Sequence, residues 1–294
     1  MKAIITADLH IRADKPRCRL DNDWMKAQRD ALSFIGATAD NKKAPLIVIG
    51  DIFNTPNVPV AVLNMVIGFL LSIDESSHIL AGNHGLPYHS WDNVDNSAFG
   101  ILNLLMEHGS NIHTLGQFGQ WAHFGQPFTG NDTGIMFIHE LTFPDVKSIP
   151  PNTQAKTAPE LLFENPEAQW IFTGDYHHSF HYEKKGRHVI NPGCIIRQAA
   201  DMIDYQPKVC YVDTDKDIVE WIDIPDTAEM VTDEYLRAEE AREDRISAFV
   251  EGVKESGHVS LSFIDNLEAE VAENKLEPLV ESTIRELIEI GEEK

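Results

Sequence analysis

Five short segments hold the residues of this 294-residue chain that could do chemistry together. They are Asp8-Leu9-His10, Gly50-Asp51, Gly82-Asn83-His84, His139 and Gly174-Asp175-Tyr176-His177. Each sets carboxylate, imidazole or amide groups at the end of a short apolar run. Together they offer enough oxygen and nitrogen ligands for two adjacent divalent cations, and one histidine is left over. Two cations held that way polarise a phosphoryl group and activate water, so the chemistry expected is phosphoester hydrolysis. A lone Asp-x-His or Gly-Asp is a weak sign; five such segments in order, each at a strand exit, are a strong one.

The elements that must position these groups are legible as periodicity. Lys2–Ala7, Leu46–Ile49 and His78–Ala81 read as short buried strands. Trp24, Ala27, Ala31, Phe34 and Ile35 recur at helical spacing, Val60–Ile73 reads as a buried helix behind Pro59, and Asn96–Glu107 as another. Short apolar strands alternating with helices predict an α/β fold with covered sheets. Further strands are expected at 112–115, 121–124, 135–139, 170–173, 188–190, 209–212 and 219–224. Thr157 to Glu160 has the form of a capping box, and Leu141–Lys156, rich in proline, reads as a loop. Asp8 and His10 stand two apart at a strand end, which in extended chain puts both side chains on one side. In open α/β folds ligands gather at the carboxyl ends of strands.

From Pro225 onward the composition turns acidic and helical, with 20 acidic and 7 basic residues. Leu236, Ile246, Phe249, Val250 and Val253 share one face, as do Leu276, Leu279, Val280, Ile284, Leu287 and Ile288; Val259–Phe263 alternates like a strand. Residues 1–224 are therefore expected to form the catalytic domain, and 225–294 a mainly helical cap or partner-docking region. The net charge of −23 excludes a protein that coats nucleic acid with a broad basic surface. It fits an enzyme whose cations do the local anion binding, or a subunit that relies on a partner for grip. The three cysteines are too few and too scattered for a disulfide framework or a zinc knuckle. No apolar run is long enough to span a bilayer. A cleaved leader at this N-terminus would remove Asp8, so a cytoplasmic location is expected.

Taken with these neighbours, the five segments resemble the calcineurin-like metallophosphoesterases, and within them the SbcD-type DNA-repair nucleases, phage versions included. The likeness rests on Ala7-Asp8-Leu9-His10, on Gly50-Asp51-Ile52-Phe53, and on Asn191-Pro192-Gly193-Cys194 after the last segment. It covers about residues 1–224 and fades in the tail. It implies a two-sheet sandwich flanked by helices. It implies one cation on Asp8, His10, Asp51 and His177 and a second on Asp51, Asn83, His139 and Asp175, with Asp51 bridging. A hydroxide between the metals would be the nucleophile, and His84 would serve as general acid. The activity implied is hydrolysis of DNA, 3′–5′ exonuclease and single-strand endonuclease, in repair, recombination or phage DNA metabolism. The partner implied is an SbcC-type coiled-coil ATPase on the C-terminal helices; a homodimer is compatible with the same pattern. The alternative is a small-molecule phosphodiesterase or phosphatase with no nucleic-acid role.

Three positions depart from the family pattern: Asn54 where an acid is common, Gly85 where an acid usually follows the histidine, and Asp175 where histidine is expected. The absent acid at 85 is expected to remove the carboxylate that orients His84, unless Asp51 or Asp8 supplies one. The hard carboxylate of Asp175 points to manganese, or magnesium, over zinc. Tyr176 and His178 should face away from Asp175 and His177. Arg12, Arg17 and Arg19 are candidate phosphate contacts, and Tyr88 and Trp91 candidate stacking partners for a base.

Overall fold

The structure, a computed structural model, describes residues 1–115, 128–130, 134–225, 231–255, 271, 280 and 282–284. In chain order its strands are β1 (Lys2–Ala7), β2 (Leu46–Ile49), β3 (Ser77–Leu80), β4 (Ile112–Thr114), β5 (Phe128–Gly130), β6 (Ile135–Ile138), β7 (Thr142–Phe143), β8 (Lys156–Thr157), β9 (Trp170–Thr173), β10 (Phe180–Lys184), β11 (Arg187–Asn191), β12 (Lys208–Asp213) and β13 (Ile218–Asp223). The helices are α1 (Trp24–Lys42), α2 (Val60–Ser72), α3 (Ala98–Glu107), α4 (Ala158–Glu164) and α5 (Glu234–Glu255). The chain divides into two units, Met1–Asp233 and Glu234–Lys294.

The first unit is an α/β two-sheet sandwich flanked by helices. One sheet runs β13-β12-β1-β2-β3-β4, with β1 to β4 mutually parallel and β12 and β13 antiparallel. The other runs β10-β11-β9-β6-β5, with β11, β9 and β6 parallel and an antiparallel strand at each edge. Alternation along each strand decides the layers. Ala3, Ile5, Ala7, Ile47, Ile49 and Leu80 of the first sheet meet Ile135, Phe137, Trp170, Phe172 and Ile190 of the second in one buried core. Their neighbours Ile4, Leu46, Val48 and Ile79 point the other way, into a core shared with α1, α2 and α3. Met136, Ile138, Ile171 and Val189 likewise pack against α4. Each fully buried side chain of this size contributes roughly 1.5–3 kcal/mol. With both faces covered, the central strands β2, β6 and β9 are buried along their whole length, and the polar groups that follow them stand out.

The helix ends are set by local chemistry. Asp23 caps α1 by accepting from the Lys26 N–H, and Lys43 closes it in the left-handed region at φ 48°. The capping box of Thr157 and Glu160 opens α4. The helix expected from Asn96 begins instead at Ala98, because the Ser97 side chain accepts from the Gly100 N–H and stops it there. Leu141–Lys156, read as a loop, carries the short parallel pair β7–β8 at its ends. The segments 121–124 and 259–263, and most of the apolar face from Leu276 to Ile288, lie outside the described residues. No helix among the described residues is long and apolar enough to cross a membrane.

Candidate metal centre

β1, β2, β6 and β9 end side by side, and the chain turns sharply as it leaves them. Asp8 (φ 50°), His10 (φ 44°), Asp51 (φ 46°) and Asp175 (φ 74°) all adopt left-handed backbone. Such conformations are uncommon outside glycine and cost roughly 1–3 kcal/mol each. Here the period-two expectation is corrected. β1 stops at Ala7, so Asp8 and His10 reach a common point through a left-handed turn and not along an extended strand. Cross-loop bonds hold the turn: His10 N–H donates to Asp51 O at 2.8 Å, Ile11 N–H to Ile52 O at 3.1 Å, and Gln198 Nε2 to His10 O at 3.2 Å.

Six predicted ligands converge there. Asp8, His10, Asp51 and His139 are buried, and Asp175 and His177 are partly so. Nε2 of His10 and Nε2 of His177 approach to 3.2 Å. Asp51 Oδ2 stands between two imidazoles, 3.2 Å from His139 Nε2 and 3.7 Å from His10 Nε2. Asp175 Oδ1 lies 4.0 Å from His139 Nε2, and the Asp175 N–H donates to Asp8. Two overlapping groups, Asp8-His10-His177 and Asp8-Asp51-His139, each bring their ligand atoms within 4.8 Å of one another. Asn83 is half buried at the same rim, its Oδ1 accepting from the His84 N–H at 2.9 Å.

The glycines before the ligands are steric necessities that sequence reasoning noted only as motif letters. A Cβ on Gly50, itself at φ 75°, would lie 2.0 Å from His139 Nδ1, and one on Gly174 would lie 2.5 Å from the same atom. His139 is thus clasped between two bare backbones, with Nδ1 bonded to Ile49 O at 3.0 Å. That bond leaves Nε2 as the ligating nitrogen, the usual arrangement for a metal-binding histidine. The Asn191-Pro192-Gly193-Cys194 run supports the last segment: Asn191 Nδ2 donates to the carbonyls of Tyr176 and His178, and Cys194 N–H to His177 O at 3.0 Å.

The electrostatics are those of a cation site. Burial raises the Asp8 pKa to about 8 and lowers that of His10 to about 3. Burial also works against a charged His139, but Asp51, Asp8 and Asp175 outweigh it and raise that pKa to about 10. Burial disfavours ionised Asp51 too, yet His139 and His10 hold it well below the usual carboxylate range. Asp51 Oδ2 and His139 Nε2 meet as an ion pair at 3.2 Å, and His10 Nδ1 is a buried polar atom with no hydrogen bond. Unsatisfied groups of this kind are costly, and oxygen and imidazole donors suit divalent cations. The residues present fit the two metals the sequence implies.

His84 is exposed beside the cluster, its ring 4.9 Å from that of His10. Among the described residues no carboxylate bonds to the ring; Nδ1 lies 3.3 Å from the Asn54 carbonyl oxygen. Asp51 Oδ1 instead fixes the His84 backbone, accepting from its N–H at 2.9 Å. Position 54, one of the three departures, therefore acts through its main chain.

The expected substrate contacts fare differently. Arg19 is buried, bonded to Asp21 and to the Arg197 carbonyl. Its guanidinium belongs to the scaffold, which corrects its reading as a phosphate contact. Arg12 is half exposed and paired with Asp14, and Arg17 is exposed. Trp91 packs on the core, 6.0 Å from the Phe99 ring, whereas Tyr88 is 87% exposed at φ 55°.

The profile of the calcineurin-like phosphoesterase family matches residues 1–210. Among solved structures, an archaeal phosphodiesterase is similar over 76% of this chain and 99% of its own, at 14% identity and a TM-score of 0.44. Vps29 of Chaetomium thermophilum is similar over 72% of this chain and 82% of its own, at 15% identity and a TM-score of 0.37. No curated protein matches.

Proposed function

The chain belongs to the calcineurin-like phosphoesterase family, and from that premise we propose that it is a two-metal phosphodiesterase acting on DNA, of the SbcD type. The observation that carries the hydrolytic part is the convergence of Asp8, His10, Asp51, His139, Asp175 and His177 on one buried point under an exposed histidine. Asp8, His10, Asp51 and His177 would hold one cation, and Asp51, Asn83, His139 and Asp175 the other. Two bound divalent cations would supply Lewis acidity toward the phosphoryl group and lower the pKa of water. With its Nδ1 on the Asn54 carbonyl, His84 has Nε2 left to protonate the leaving oxygen. The left-handed turns at Asp8, Asp51 and Asp175 are held by cross-loop bonds, His10 N–H to Asp51 O and Asp175 N–H to the Asp8 carboxylate among them.

DNA as substrate is supported by the Ala-Asp-Leu-His, Gly-Asp-Ile-Phe and Asn-Pro-Gly-Cys runs, the last of which braces the 176–178 backbone. Cleavage is proposed as 3′–5′ exonucleolytic with single-strand endonuclease activity, in DNA repair, recombination or phage DNA metabolism. A chain of net charge −23 has little grip of its own on a polyanion, so the proposal includes a coiled-coil ATPase partner engaging the acidic C-terminal unit. Manganese is the proposed metal because Asp175 adds a third hard carboxylate.

The deciding assay incubates the purified protein with manganese and labelled single- and double-stranded DNA, beside bis-p-nitrophenyl phosphate and cyclic nucleotides. DNA cleavage lost in Asp51→Ala is expected. Cleavage of the small esters but not of DNA, even with the partner present, would establish the second reading, a small-molecule phosphodiesterase or phosphatase. That reading is favoured by the burial of Arg19, which withdraws one cation from the rim. Strongest turnover with zinc would overturn the metal assignment.

A further inference from the structure

The last ligand segment has two sides. Asp175 and His177 serve the cluster; Tyr176 and His178 line an open groove beside it, of about 360 Å³, together with Phe143, Asp201 and Met202. Asp175 and His177 line the groove as well, so it is continuous with the cluster. Its size falls at the low end of small-molecule sites, roughly 300–1,000 Å³. It has room for one ring and its sugar but not for a strand of duplex.

The wall is aromatic and built in advance. Phe143 is buried and tilts against Tyr176 with ring centroids 4.4 Å apart. His178 follows at 5.4 Å from Tyr176 and 5.0 Å from Tyr205. The backbone carrying these rings is pinned by Asn191 and, through Ser179 Oγ, by Tyr205 at 2.7 Å and the Pro192 carbonyl at 2.6 Å. A platform so held loses little entropy when a ligand stacks on it. Its charge excludes a second phosphate: Asp175 and Asp201 line it, and no lysine or arginine does so among the described residues. What suits it is a flat, uncharged heteroaromatic ring bearing N–H donors for a carboxylate.

We propose that this groove is a nucleobase subsite, holding the base of the nucleotide whose phosphate is cleaved at the cluster. The inference rests on the phosphodiesterase reading above and names the part of the substrate that the metals do not touch. The wall formed by Tyr176 and His178 stacks the ring, and Asp201 accepts from its exocyclic or ring N–H. Stacking on aromatic side chains tolerates any base, so the subsite favours nucleotides without choosing among sequences.

The test compares a dinucleoside monophosphate with two analogues, each carrying an abasic tetrahydrofuran in place of one base, in manganese. One abasic analogue should lose roughly tenfold in kcat/KM. Tyr176→Ala should bring that ratio close to one, and Tyr176→Trp should keep it. As an independent measure, a deoxynucleoside 5′-monophosphate should inhibit bis-p-nitrophenyl phosphate hydrolysis roughly tenfold more strongly than deoxyribose 5-phosphate. Equal kcat/KM on all three substrates, equal inhibition by the two monophosphates, or a ratio that survives Tyr176→Ala would overturn the subsite and leave the hydrolytic reading intact. A protein that hydrolyses no phosphodiester would overturn that reading instead. The subsite would then be judged by equilibrium binding of the same two monophosphates, where equal affinity refutes it.

Discussion

Two ends of one sandwich carry histidines beside carboxylates, and only one of them resembles a metal centre. At the carboxyl ends of β1, β2, β6 and β9, ligand atoms from four of the five segments crowd one point. At the opposite end, His188, the second residue of β11, pairs with Trp170, the first residue of β9, and stacks on its ring at 3.9 Å. There His188 Nδ1 meets His181 Nε2 at 3.0 Å, and His188 Nε2 meets Asp217 Oδ1 at 3.0 Å. The two nitrogens of His188 face different residues, and among the described residues the three form no group whose ligand atoms share one point. Composition, left-handed backbone (Asp217 at φ 56°) and a buried nitrogen without a hydrogen bond (His188 Nε2) occur at the second end too; convergence of ligand atoms on one point distinguishes the first.

The largest effect expected is on Asp51. It faces His10 and His139 together and also fixes the His84 backbone. Asp51→Ala should therefore abolish hydrolysis, well beyond the roughly 10–100-fold expected for a group that only supports a ligand. Isothermal titration with manganese should show the loss of at least one site. Retained activity would remove the cluster from the chemistry and put the two ends on a par. His84→Ala comes next, with kcat lowered roughly 10²–10⁴-fold and manganese affinity unchanged. A parallel fall in affinity would make His84 a ligand and not an acid.

The difference between the ends is also one of protons. Asp8, raised to about 8 by burial, and His139, raised to about 10 by its carboxylate neighbours against burial, both carry protons at pH 7 in the metal-free protein. A raised pKa means that the proton is held more tightly than usual, so an incoming cation must displace it. Affinity should rise with pH by about tenfold per unit for each proton released. His10 and His177, both lowered first of all by burial, are neutral at pH 7 and add no such penalty. Calorimetry in buffers of differing ionisation enthalpy measures the protons released; zero release at pH 7 contradicts this account.

How much of this could be read from sequence follows the same divide. Apolar runs followed by polar motifs located β1, β2 and β9 and the six side chains that the fold brings together, because strands covered on both faces leave no ambiguity about where they stop. The turn conformations at Asp8 and Asp51 were not legible: a left-handed aspartate looks like any other in a string of letters. The oriented ring of His84 was hidden for a related reason, since its partner is the main-chain oxygen of Asn54, which every residue possesses. The strand expected at 188–190 is β11, but its hairpin partner β10 escaped because Phe180–Lys184 is polar and largely exposed, and the turn at Lys185 and Gly186 is set by two positive φ angles. Arg19 misled because charge suggests the surface, whereas its ion pair with Asp21 lets it lie inside.

The smallest effect sharpens the comparison most. His188 is as buried as the cluster histidines, and substituting it with glutamine breaks its contacts to His181 and Asp217 and its stack on Trp170. A buried group losing its partners should destabilise the first unit by about 1–3 kcal/mol, read as a lower urea midpoint. Hydrolysis below the transition should nevertheless stay within about twofold, because the cluster lies at least the length of β9, about 10 Å, away and shares no partner with it. If His188→Gln instead lowered kcat at full foldedness, the contacts among Asp217, His188 and His181 would be coupled to the chemistry. The divide between the two ends would then be one of degree, and convergence of ligand atoms would no longer suffice to tell a metal centre from a structural pair.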